Sequence, residues 1–176
     1  AQTGNTVQGI VFHDKNNNGT YDSGEDTPLE GIAVSNSRDV VTTGNNGAYQ
    51  LPLLDNSPVF LIKPRNWKIP VDNNQLHSFY YMHSTEGASG ENYEGLPPTS
   101  PLPESVDFPL YPQKEPDQIK VLVFGDTQPR DDKEIYFMKQ DVLPELVNTD
   151  ADFGVTLGDV VFDNLSLFEH LSGSIS

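Results

Sequence analysis

Pro97, Pro98, Pro101, Pro103, Pro109, Pro112 and Pro116 constrain this chain more than any other feature, because each removes a backbone donor that a helix interior or a central strand requires. They fall in a stretch from Ser84 to Pro116 that is also rich in Gly, Ser and Glu. That stretch reads as a linker over 84–116, with an edge strand at 106–110, where Val106 to Leu110 need a surface to cover. It separates a domain over 1–83 from a second region over 117–176, a division for which a chain of 176 residues has room.

The text on the two sides differs in period. Before the linker, residues 7–12, 31–36, 39–43, 48–53, 59–63 and 78–83 are short runs of Val, Ile, Phe, Tyr and Leu between Asn-Gly, Gly and Pro signals, the spacing of an antiparallel β-sandwich. Asn45-Asn46-Gly47, between Val40-Val41-Thr42 and Tyr49-Gln50-Leu51, predicts a hairpin with a primed turn, which needs the positive φ that Asn and Gly tolerate. After Pro116, Ile119 to Phe124 is a nearly unbroken apolar run, the pattern of a strand buried on both faces of a parallel sheet. Residues 132–148 then place Ile135, Met138, Val142 and Leu146 on one helical face, with Asp131 or Asp132 as cap and Pro144 as a kink or early stop. A second buried strand at Asp152 to Leu157 completes a β-α-β unit with a right-handed connection.

Charge narrows the partners. With 26 acidic against 10 basic residues and a net charge of −16, the chain would repel a nucleic-acid backbone and an anionic bilayer. No apolar run approaches the length of a membrane span. There are no cysteines, so neither disulfides nor thiolate metal sites are available. His13, His77, His83 and His170 form no pair at ligand spacing, and no G-x-S-x-G elbow supports a serine nucleophile. Cations are the expected partner.

Residues 14–25 meet every specified position of the calcium-loop pattern D-x-[DN]-x-[DN]-G-x5-E. Side-chain oxygens of Asp14, Asn16 and Asn18 alternate so as to converge on one cation, Gly19 permits the sharp turn, and the Thr20 carbonyl adds a ligand. Asp22 contributes directly or through water, and Glu25 closes the shell with both oxygens. An oxygen-only, flexible shell favours Ca2+ over zinc. The strand-like Val7 to Phe12 before it and Asp26-Thr27-Pro28 after it predict a loop pinned in a sandwich rather than a helix-loop-helix sensor.

This loop, continued through Leu29-Glu30-Gly31-Ile32-Ala33-Val34 and Gly44-Asn45-Asn46-Gly47-Ala48-Tyr49, resembles the calcium-binding B-type repeats of Gram-positive surface adhesins over residues 7–63. The resemblance implies a transthyretin-like or immunoglobulin-like sandwich and a secreted, periplasmic or cell-surface setting in a bacterium.

In the second region, the two apolar strands deliver Gly125-Asp126-Thr127-Gln128 and Gly158-Asp159-Val160-Val161-Phe162-Asp163-Asn164. Both acids stand just beyond the carboxyl ends of parallel strands, where open α/β sheets hold ligands. Paired there with few cations nearby, they would be costly unless metal neutralised them. The two blocks resemble the D-x-H and G-D-x-x motifs of calcineurin-like metallophosphoesterases. The resemblance extends to the upstream sandwich with Phe79-Tyr80-Tyr81-Met82-His83 and Ser105-Val106-Asp107-Phe108-Pro109-Leu110, which is similar to the amino-terminal domain of some bacterial members.

It implies that Asp126 binds the first of two transition metals, manganese, iron or zinc, and that Asp159 bridges the pair. Gln128 stands where the family usually has His and joins Asp126 and Asp159 in the candidate metal set that the resemblance implies. Asp163 and Asn164 become candidates for groups that hydrogen-bond the ligands. The substrate implied is a phosphate ester, attacked by a metal-bound hydroxide. The family's later Asn-His block and remaining His ligands would lie beyond Ser176, so the expectation is a truncated catalytic domain, inactive alone and inclined to self-associate through its incomplete sheet. The rival expectation is a calcium-stabilised surface or adhesion module without catalysis.

Overall fold

The computed structural model describes residues 5–73, 76–87 and 97–175; residues 88–96 of the expected linker lie outside the described residues. The described residues are mostly strands in several sheets with little helix, the makeup of a β-sandwich-like domain. They cluster into two compact units, Ala1–Val71 with His77–Glu115, and Asp72–Leu76 with Pro116–Ser176.

In the first unit, the strands are β1 (Thr6–His13), β2 (Thr27–Pro28), β3 (Ala33–Ser35), β4 (Val40–Thr42), β5 (Ala48–Pro52), β6 (Ser57–Leu61), β7 (Trp67–Lys68), β8 (Tyr80–His83) and β9 (Phe108–Pro112). One sheet runs β2-β1-β9-β7 with β5 also on β1, the other β4-β3-β6-β8. Alternation along β1 explains the layering: Val7 and Val11 turn inward and meet Leu51, Phe108 and Leu110 from the same sheet and Val34, Val59 and Leu61 from the other, all buried. Phe12, on the opposite face of β1, is buried too, because Tyr21 of the following loop closes edge-on over it at 5.3 Å between ring centroids.

Two expectations need correction here. The turn at 44–47 forms, with Gly47 at φ +71°, but it is no primed hairpin: neither Asn45 nor Asn46 has positive φ, and the strands on either side join different sheets, β4 beside β3 and β5 beside β1. Thr43 explains the parting. Its backbone exchanges bonds with Gly31 and Ile32, and its hydroxyl accepts from Ile32 N and donates to the Leu29 carbonyl, so β4 stays with β3. The proline-rich segment, in turn, supplies no edge strand. β9 lies between β1, to which it is parallel, and β7, to which it is antiparallel.

The second unit contains β10 (Val121–Phe124), α1 (Asp132–Phe137), a π-helical turn at Met138–Val142, α2 (Leu143–Leu146), β11 (Phe153–Thr156) and α3 (Leu167–Ile175). β10 and β11 pair in parallel, Val121 with Phe153 through Phe124 with Thr156. Asp131 caps α1, its carboxylate accepting from Glu134 N at 3.0 Å. Pro144 cannot donate to a carbonyl one turn back, and the wider π turn before it accommodates that loss. The extra residue per turn also rotates the apolar stripe, so Ile135 is buried while Val142 is exposed.

The strands are not buried on both faces as their composition predicts: all four residues of β11 are exposed, as are Val123 and Leu157. Burial on both faces takes a covering layer on each side, and the helices' buried residues, Ile135, Leu167 and Leu171, cluster instead with Val161. Among the described residues no helix is long and apolar enough to cross a membrane.

Candidate metal centres

The acidic loop leaves β1 at Asp14 and returns to β2 at Thr27. Asp14, 1% exposed, is its hub. Its Oδ1 accepts from Asn17 N at 2.8 Å, and its Oδ2 accepts from Gly19 N at 2.9 Å and from the Tyr111 hydroxyl of β9 at 2.8 Å. Burial opposes ionisation of this carboxyl, but the donors at Gly19, Tyr111, Asn17 and Asn18 outweigh it and hold its pKa below the usual carboxylate value. Burial, then the bond to Asp14, pushes the Tyr111 phenol up to about 12.

The other loop residues satisfy one another. Asn16 Oδ1 accepts from Asn18 N, Asn18 Oδ1 accepts from Thr20 N, and both Asn amides donate to Asp22 Oδ2, at 2.9 and 2.7 Å. Asp14, Asn16, Asn18 and Asp22 are thus drawn into one turn of oxygen-bearing side chains. Glu25 remains exposed. Sequence reasoning missed two members. Asp26, buried, accepts from Lys15 N and Asp22 N and ties the ends of the loop together; in Gly24-Glu25-Asp26 either acid could have been the closing one. Tyr111 lies 97 residues from Asp14, and no local spacing announces it.

The strand ends of the second unit form the other centre. Because β10 and β11 are parallel and in register, both following loops emerge on the same side. Leu157 N donates to Phe124 O and Gln128 N to Asp159 O, each at 2.9 Å. Gln128 Nε2 donates to Asp159 Oδ2 at 2.6 Å, and Thr127 Oγ1 to Val160 O at 2.8 Å.

Asp126, Gln128 and Asp159 all hold left-handed backbones, at φ 54°, 34° and 43°, a conformation that costs non-glycine residues energy and that collects at functional sites. Asp126, Asp159 and Asp163 are exposed. Asn164 is engaged at the start of α3, where its Oδ1 accepts from Ser166 N and Oγ and its carbonyl from Leu167 N. The structure therefore brings Gln128 and Asp159 into contact and turns Asn164 away to a helix end.

The donor chemistry of both centres is oxygen-rich and suits hard divalent cations. Neither assembles a full shell: among the described residues no three His, Cys, Asp or Glu side chains come together to hold a metal ion.

Comparison with known proteins places the first unit in a wider setting. A comparison with curated proteins returned no match. Among solved structures, the crystal structure of the major plantain pollen allergen Pla l 1 is similar at 14% identity over 64% of this chain and 98% of that chain, with a TM-score of 0.34. Residues 15–96, which cover the acidic loop after Asp14 and β2 to β8, match the family model described as the N terminal of calcineurin-like phosphoesterase, and that match supports a relation to this family.

Proposed function

We propose that this chain is part of a bacterial, exported metal-dependent phosphoesterase, joining the family's amino-terminal sandwich to the beginning of its two-metal site. The observation that carries the reading is the match of residues 15–96 to the N-terminal region of calcineurin-like phosphoesterases. The parallel strand ends that bring Gln128 onto Asp159 support it.

On this reading Asp126 and Asp159 are metal ligands, and Gln128 orients Asp159 by donating to one of its two oxygens. Bound divalent metal supplies a polarised phosphate ester and a water acidic enough to attack phosphorus at neutral pH. Two carboxylates and an amide fit part of such a site, and on this reading further ligands would have to complete it. The chain alone is then inactive toward phosphate esters. The test is manganese titration and ester hydrolysis by a polypeptide extended downstream. It should bind two metals and turn over, and Asp159→Ala should cut turnover by at least about a hundredfold, the upper range for losing even a group that only supports a ligand. Extended protein that neither binds two metals nor hydrolyses an ester would leave the rival, a calcium-stabilised surface module.

We also propose that the Asp14 loop takes calcium outside the cytoplasm, where modules of this chemistry work at high cation concentration. Calcium at about a hundred times its dissociation constant should stabilise the first unit by about 2.7 kcal/mol, read as a rise in Tm. Glu25→Ala removes an exposed ligand candidate and should shrink that rise. A rise of the same size in the variant would count against the loop.

A further inference from the structure

The chain contains two Asn-Gly peptides, Asn18-Gly19 and Asn46-Gly47, and the structure treats them differently. We propose that Asn18 is a site of self-promoted deamidation, with Asp14 as the base, and that Asn46 is protected. The inference concerns the loop with no cation bound, because a cation held by Asp14 and Asn18 would occupy both the base and the amide oxygen.

The chemistry is an intramolecular acyl transfer. Gly19 N attacks Asn18 Cγ, the new C–N bond closes a five-membered succinimide, and the side-chain amino group leaves as ammonia. Water then opens the ring at either carbonyl, giving aspartate or isoaspartate, so the net change is one amide and one water to one carboxylic acid and one ammonia. Such a step needs a base on the attacking nitrogen, a donor for the developing oxyanion and room for the ring.

All three are present at Asn18. Gly19 N already donates to Asp14 Oδ2 at 2.9 Å, so the proton it must lose points at a carboxylate. Thr20 N donates to Asn18 Oδ1 at 2.7 Å, the oxygen on which charge develops. The proton that Asp14 takes reaches the departing ammonia through solvent. Asn18 and Gly19 are exposed, and a methyl added to Gly19 would meet nothing within 4 Å, so ring and water have space.

Asn46 has the oxyanion donor alone, Ala48 N at 3.2 Å. Gly47 N donates to the Gly44 carbonyl, which is no base. A methyl on Gly47 would lie 2.6 Å from Val11 O and 2.9 Å from Pro28 Cβ, so the main chain there has no freedom to pucker into a ring.

Ageing the whole chain at neutral pH in 18O-labelled water with a chelator, followed by peptide mapping, tests this. Labelled aspartate and isoaspartate should appear at Asn18 at least about tenfold faster than at Asn46, and Asp14→Asn should slow Asn18 about tenfold, a modest effect for a positioned base because a carboxylate is a weak one. Equal or faster conversion at Asn46 overturns the proposal, as does an unchanged or faster rate at Asn18 in Asp14→Asn. If circular dichroism shows that variant unfolded, Tyr111→Phe decides instead. It removes a competing donor from Asp14 Oδ2 and should quicken Asn18, whereas an unchanged or slower rate overturns the proposal.

Discussion

Leu110→Ala is expected to destabilise the first unit by about 4 kcal/mol, within the range for emptying a fully buried leucine site. Leu110 is 0% exposed and lies in β9, between β1 and β7, where it packs with Val7, Val11 and Phe108. Were residues 106–112 only a drape over a finished sandwich, their loss would leave the core largely intact and the change would fall below about 1 kcal/mol, as for ordinary surface positions. Denaturant unfolding, followed by hydrogen exchange at the amides of Val34 and Leu61 so that only the first unit is read, separates the two outcomes.

Gly9→Ala should cost about 3 kcal/mol, the upper end of ordinary overpacking. A methyl at Gly9 would fall 1.8 Å from the Val106 carbonyl oxygen and 2.6 Å from its carbon, so relief requires moving main chain. That chain is held from two sides: Val106 N donates to Gln8 O at 2.8 Å, and the Tyr49 hydroxyl donates to Val106 O at 2.7 Å. Tyr49 is buried, and burial together with the Asp107 charge raises its pKa, so the phenol stays a donor. Tyr49→Phe gives the scale. It strands a buried carbonyl at a cost of about 1–3 kcal/mol without moving backbone, and Gly9→Ala should exceed it. A Gly9→Ala protein as stable as the parent would mean that Val106 does not cross β1 this closely.

The strands of the sandwich were legible because their inward positions alternate, as Val7, Val11, Val34 and Leu51 do. Pairing partners were not. Nothing local tells Thr43 to hold β4 beside β3 while Gly47 hands β5 to the opposite sheet, since both arrangements bury the same side chains.

The prolines misled for a different reason. Val106 N and Leu110 O bond toward β1, so Phe108 and Pro112 face that side and Pro109 and Tyr111 the other. Pro109 therefore turns its missing N–H to a flank that β7 reaches only at Tyr111 and Pro112, and Pro112 turns its own beyond the last pair of β1, His13 with Leu110. Each proline falls where no ladder donor is called for, and a strand survives among residues that seem to forbid one.

At the candidate sites, the gathering of Asp14, Asn16, Asn18 and Asp22 into one turn was readable because they belong to one contiguous segment. Tyr111 was not, because it reaches Asp14 from a distant strand. Apolar composition overstated the burial of β10 and β11: it measures what a strand would bury if covered, and the covering depends on elements elsewhere.

The parallel partnership of β1 with β9 also sets an order of events in synthesis. Ile10 and Asp107, which its backbone amide contacts, are 97 residues apart, so β1 emerges from the ribosome long before the strand that completes its sheet. Until then Val11 and Leu61 lack the cover of Phe108 and Leu110, and the nascent sandwich carries an open flank. Closing so wide a loop late makes folding slow and leaves that flank open to other chains meanwhile, so a cell making this protein needs either a holding chaperone or quick passage of the chain through residue 112.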